Sequence, residues 1–168
     1  KYIRSGLNPS DYFSRLTDRD AWMLRPRLRQ HLRPHAERVL QTPVTLDAFA
    51  CHQSALVPRY ASRLHEPRAL AYDGLALDWA AEEGAVWICP PFALLPAVLA
   101  KLEQEQPAAI LIAPRWPTAP WWPKLEQLGG TVREIPRPKH AVLSLHGRKV
   151  EPFLNHGLEL IAMLLPKR

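Results

Sequence analysis

Cysteine is nearly missing from this 168-residue chain: Cys51 and Cys89 are the only two, and neither has a CxxC partner. A disulfide framework and a cysteine-based zinc site are therefore both excluded. The seven histidines form no HExxH and no cysteine-linked pair at zinc spacing, and His31 and His35, one helical turn apart, are the closest approach to a ligand pair; no metal is expected. No run of apolar residues approaches the roughly eighteen that a membrane-spanning helix needs. The opening Lys1 to Gly6 has neither the apolar core nor the cleavage site of a secretory signal. The expectation is a protein of the cell interior, nucleus or cytoplasm, with no membrane partner.

Acid is scarce at one end. Residues 1–40 carry nine Lys or Arg against four Asp or Glu, so +5 of the net charge of +6 lies there, and residues 41–168 are almost neutral. A basic arm beside a neutral domain suits phosphate, because each neutralised phosphate releases condensed counterions. The same arginines would also serve as a plain solvated surface. The organisation expected is a basic N-terminal arm over 1–40 and an α/β domain over 41–168.

Within the arm, Pro26 begins a helix through Leu28, Leu32 and Val39, which Pro34 is expected to interrupt. From Pro43 the pattern changes. Val44 to Ala50 reads as a first strand, and residues 51–79, with Pro58, Pro67 and Gly74, read as a loop with one helical piece. Ala85-Val86-Trp87-Ile88-Cys89 is a compact strand stopped by Pro90-Pro91, which cannot donate to a ladder. An amphipathic helix follows from Leu94 to Gln104. Ala108 to Ala113 is apolar without alternation, as expected of a strand buried on both faces of a parallel sheet. Pro123 to Leu128 reads as a short helix ended by Gly129-Gly130, and Thr131 to Ile135 as another strand. The tail from Glu151 to Leu165 suits a docked helix or a last strand equally.

This alternation predicts an open, mostly parallel α/β sheet flanked by helices. Ligands of such sheets sit outside the carboxyl ends of the strands. The segments to read for chemistry are therefore 47–54, 89–92 and 114–122.

The second of these holds Trp87-Ile88-Cys89-Pro90-Pro91-Phe92. A hydrophobic strand, one polar residue, two prolines and an aromatic resemble the Asp/Asn-Pro-Pro-Tyr/Phe motif of methyltransferases that act on exocyclic amines of bases. In that motif an Asp or Asn oxygen and a proline carbonyl accept from the amine while the ring stacks on a base removed from its helix. The stiff prolines fix the acceptors in advance. Here Cys89 takes the first position, and a thiol is a weak acceptor that does not polarise an amine as an oxygen does. As a nucleophile Cys89 would need a lowered pKa and a base, which Ile88 and Pro90 do not supply; a buried, inert thiol is the other reading.

The segments Leu46 to Ala50, Pro58-Arg59-Tyr60, Asp73 to Trp79, Val86 to Phe92 and Ile110 to Trp116 follow one another as in phage-type, Dam-like DNA adenine methyltransferases. They are still more similar to the methyltransferase-like domain of DIRS-type tyrosine-recombinase retrotransposons, where that domain follows a ribonuclease H; Tyr2 to Arg15 resembles the end of such a region. The resemblance covers about residues 1–135. It implies a Rossmann-like methyltransferase fold, S-adenosylmethionine as cofactor, and nucleic acid, DNA ahead of RNA, as partner, with other domains of a retroelement polyprotein as neighbours. It places Asp47, Phe49, Ala50, Asp78 and Trp79 at the cofactor, and Cys89, Pro90, Pro91 and Phe92 at the target amine. The sequence departs from the family at Cys89 and in the turn Phe49-Ala50-Cys51-His52-Gln53, which has none of the glycines by which many methyltransferases bring the cofactor to the backbone. An active adenine methyltransferase and a non-catalytic binding or assembly module on the same fold are both compatible with this pattern.

The same residues have plainer uses. Asp47 suits a helix cap, and Asp78-Trp79 a turn with a core aromatic. Arg115, Trp116, Trp121 and Trp122 would form a stacking platform for unpaired bases if exposed, or anchor a proline-rich loop if buried.

Overall fold

The computed structural model describes residues 22–63, 66–135, 142–144 and 159–168. The first part of the expected arm, Lys1 to Ala21, and most of the tail region lie outside these residues, as do the basic clusters at 137–140 and 146–149. A strand β1, Trp22–Leu24, leads into helix α1, Pro26–Leu40. Strands β2 (Val44–Asp47), β3 (Ala85–Ile88) and β4 (Ala109–Pro114) follow, with helix α2 (Leu95–Glu105) between β3 and β4. Helix α3 (Trp122–Gln127), β5 (Thr131–Ile135), β6 (Val142–Ser144) and β7 (Leu160–Leu165) complete the order.

Five strands form one mixed sheet in the order β2-β3-β4-β7-β5, and β1 pairs antiparallel with β6 in a separate ribbon. The β2-β3 and β3-β4 pairs are parallel. The tail is the strand β7, which enters antiparallel between β4 and β5, so the mostly parallel sheet expected from the sequence is instead half antiparallel in its pairings. A buried apolar run such as Leu160 to Leu165 does not encode its direction; that is settled by the two neighbours it must satisfy. Beyond β2 the ladder continues as single parallel bridges, Asp47 with Tyr60 and Ala61 with Ala71.

All residues of β3, β4 and β7 are buried. On β5, Val132 lines a groove with Trp122 and Leu125 of α3, while Arg133 reaches His35 of α1. Successive strand residues point to opposite faces, so α1 and α3 cover opposite sides of the sheet. Helix α3 is tied to α2 by the Lys124–Glu103 pair at 2.6 Å.

Pro34 does not interrupt α1. It lies on the exposed side, where the loss of one backbone N–H donor is cheapest, and the opposite face anchors both halves of the helix: Leu28, Leu32, Ala36 and Leu40 all pack on the core. Residues 22–40 thus share the core of the rest of the chain, with Leu24 and Ala36 fully inside it. Among the described residues, the loop after β2 holds one 3-10 turn, Gly74–Ala76. A Cβ on Gly74 would lie 1.9 Å from the Ala48 carbonyl oxygen, so only glycine lets this loop close against the end of β2.

Candidate functional site

Asp47 ends β2 and pairs in register with Trp87, and the Ala48 amide donates to the Trp87 carbonyl at 2.9 Å. Cys89 follows β3 directly. Neighbouring parallel strands therefore deliver Asp47 and the Cys-Pro-Pro-Phe turn to the same rim of the sheet.

That rim is closed. Asp47 is 2% exposed, and its two carboxylate oxygens accept from the amides of Phe49 at 3.3 Å and Leu56 at 3.0 Å, folding the loop back onto the strand end. Burial pushes its carboxyl up to about 6, against the opposing pull of the two amides and the Arg29 guanidinium. Arg29 comes down from α1, is buried, and donates to the Ser54 carbonyl. Ser54 in turn accepts from the Cys51 amide at 2.9 Å, and the Cys51 sulfur lies 3.3 Å from its hydroxyl.

Cys89 is 8% exposed, with the backbone amide of Leu24 directed at its sulfur. Burial, and then the Asp47 charge, push the thiol far above its ordinary range. It is a neutral, inert thiol rather than a nucleophile. Pro90 is buried, the Pro91 carbonyl accepts from Leu94 at 2.9 Å, and Phe92 is 4% exposed, so its ring offers no open face for a base.

The other expected residues are placed as follows. Trp79 is fully buried, with its indole N–H on the Gly74 carbonyl at 3.0 Å, its amide on Glu105 at 2.8 Å and the Lys101 ammonium 5.0 Å from its ring. Phe49 meets it edge-on at 6.4 Å. Asp78 is exposed and caps a turn through the Ala81 amide at 3.2 Å. Ala50 is half-buried and donates to the Ala61 carbonyl at 3.0 Å.

Arg115 is engaged by Glu134 at 2.9 Å and Glu159 at 3.3 Å. Trp116, Trp121 and Trp122 are half-buried against the core and pack on one another at 6.4 and 6.0 Å. This loop is anchored by its indoles more than it is spread as a platform.

S-adenosylmethionine would need acceptors and an approachable backbone at this rim. Both oxygens of Asp47 are committed to their own loop, Arg29 fills the space above Ser54, and the indole N–H of Trp79 is used internally. These residues, so arranged, do not fit the cofactor. Among the described residues no three His, Cys, Asp or Glu come together as a metal site.

What the sequence reading missed is the covering role of Leu24 and Arg29, and a cleft between α1 and β5. The first has no local signal. The second is half visible, since His31, His35 and Arg38 fall at helical spacing, but Arg133 joins them only through the topology. No family model matches the chain, and no curated protein matches it either.

Proposed function

We propose that this chain is a methyltransferase-like α/β module of retroelement type, on a Rossmann-like sheet, that associates with nucleic acid and does not transfer methyl groups. The observation that carries the reading is the covered rim: Leu24 lies over Cys89 and Arg29 sits beside Asp47, where cofactor and target amine would have to meet. The ordered motifs from Leu46 to Trp116, with Asp47 and Cys89 on neighbouring strand ends, support the methyltransferase kinship. The thiol at the motif's first position, the turn without glycine and the buried Phe92 support the loss of chemistry. The basic surface of α1 supports nucleic acid as partner, DNA ahead of RNA.

Calorimetry with S-adenosylmethionine and methyl-transfer assays on duplex and single-stranded DNA test this directly. No heat of binding and no transfer are expected, from the wild type or from Cys89→Asn. Methylation of adenine by the wild type would overturn the proposal in favour of an active enzyme.

A further inference from the structure

The cleft between α1 and β5 gathers His31, His35 and Arg38 from the helix and Arg133 from the strand. Arg133 donates to Nε2 of His35 at 2.9 Å, across 98 positions of sequence, so that ring nitrogen is an acceptor and the imidazole is neutral. The carboxylates nearby are engaged elsewhere. Glu134 holds Arg115 at 2.9 Å, and Glu37 accepts from Arg33 and from the Val44 amide, each at 2.9 Å. Arg38 and Arg133 thus line the cleft with two imidazoles, and among the described residues its one acid, Glu134, is paired with Arg115.

Arg27, His31 and Arg38 also form one exposed stripe, at positions four and seven residues apart along the helix. It runs about 16 Å at the helical rise, with Gln30, Pro34 and His35 beside it. A point site for a free anion needs no such length, whereas consecutive backbone phosphates of a nucleic acid do.

We infer that the α1–β5 cleft is a phosphate-binding site for a nucleic-acid backbone, with Arg38 and Arg133 as the anchoring cations and His31 and His35 as supporting donors. The inference rests on the proposed nucleic-acid role and gives it a surface, distinct from the tryptophan loop. Guanidiniums present paired donors that match phosphate oxygens. His35 adds a proton linkage. Its pKa is held below the ordinary value by partial desolvation first and then by Arg133, Arg38 and His31, with Glu134 the acid at the cleft's edge. A bound phosphate that draws the Arg133 guanidinium off Nε2 leaves that nitrogen able to take a proton, so affinity rises as pH falls.

The test is fluorescence anisotropy of the whole chain with labelled single-stranded and duplex DNA, titrated with salt at several pH values. Relative to wild type, Arg38→Gln with Arg133→Gln is expected to weaken binding at least tenfold and to flatten the dependence of log K on log salt by about two, near one per lost phosphate contact. Lys124→Gln, on the opposite face, is expected to leave both unchanged, and His35→Gln to remove the strengthening between pH 7.5 and 5.5. If the wild type binds DNA and the arginine pair has no effect, the cleft is overturned while the nucleic-acid reading stands. If the wild type binds no DNA at all, both fall. Saturable binding of inorganic phosphate at constant ionic strength, lost in the arginine pair while DNA binding is retained, would identify a free anion and overturn the polymer.

Discussion

Two polar regions of this molecule are built in opposite ways. At the rim of β2 and β3, one buried carboxylate, one buried guanidinium and a thiol are covered, and both carboxylate oxygens are engaged by backbone amides. Between α1 and β5, cations and imidazoles line a cleft among the described residues, with the local carboxylates Glu37 and Glu134 paired to other partners. The first region has the residues of a motif and the physics of a core. The second has no motif at all, yet among the described residues its guanidiniums meet no carboxylate, and that is the better guide to function.

The contrast can be broken most forcefully on the closed side. Trp79→Ala should cost ~3–5 kcal/mol, because a fully buried indole is removed from between the Gly74 turn and α2. Urea denaturation will read this as a lower midpoint. Asp47 should make the rim sensitive to pH. Its folded pKa, about 6, lies above the ordinary 3.8, so the charged form is disfavoured in the fold. Its contribution is best below pH 4 and worsens as pH rises from about 4 to 6, by ~3 kcal/mol in all. The stability of Asp47→Asn relative to wild type should therefore improve by that amount between pH 4 and pH 7.5; an unchanged difference would mean that the carboxylate is not desolvated.

Cys89→Asn should cost a further, smaller ~1–3 kcal/mol, since an amide is placed where the described neighbours offer chiefly the Leu24 amide. Both cysteines should stay unmodified by a thiol reagent in the native protein and react on unfolding, as their burial requires. The open side sharpens the comparison by its indifference. Arg38→Gln and Arg133→Gln should each shift stability by no more than ~0.5 kcal/mol, while changing DNA binding as described above.

Much of the scaffold was legible because punctuation and burial agreed. Pro90-Pro91 after Cys89, the apolar run before Pro114 and the Gly129 turn, which adopts a φ of 65°, fixed β3, β4 and the end of α3 within a residue or two. Helices α1 and α2 end instead on Gln41 and Gln106, both in the left-handed region, where no glycine marks the stop. Strand β1 is too short to show a period, and Pro34 is outweighed by the anchoring of Leu28, Leu32 and Ala36. For the site, the adjacency of Asp47 and Cys89 followed from strand order. Its closure did not, because Leu24 and Arg29 reach it through contacts spanning 25 residues to Ser54 and more to Cys89, which only the packed chain determines.

Strand β7 is the last described strand in the sequence, yet it occupies the interior of the sheet. Until residues 160–165 arrive, β4 has one bare edge and β5 has no partner among the described strands. The connection of β4 to β5 within the sheet therefore depends on residues 160–165. Deleting the chain after Glu159 should split the molecule between β4 and β5 and separate the two walls of the α1–β5 cleft, a far larger injury than the loss of a terminal strand from an edge.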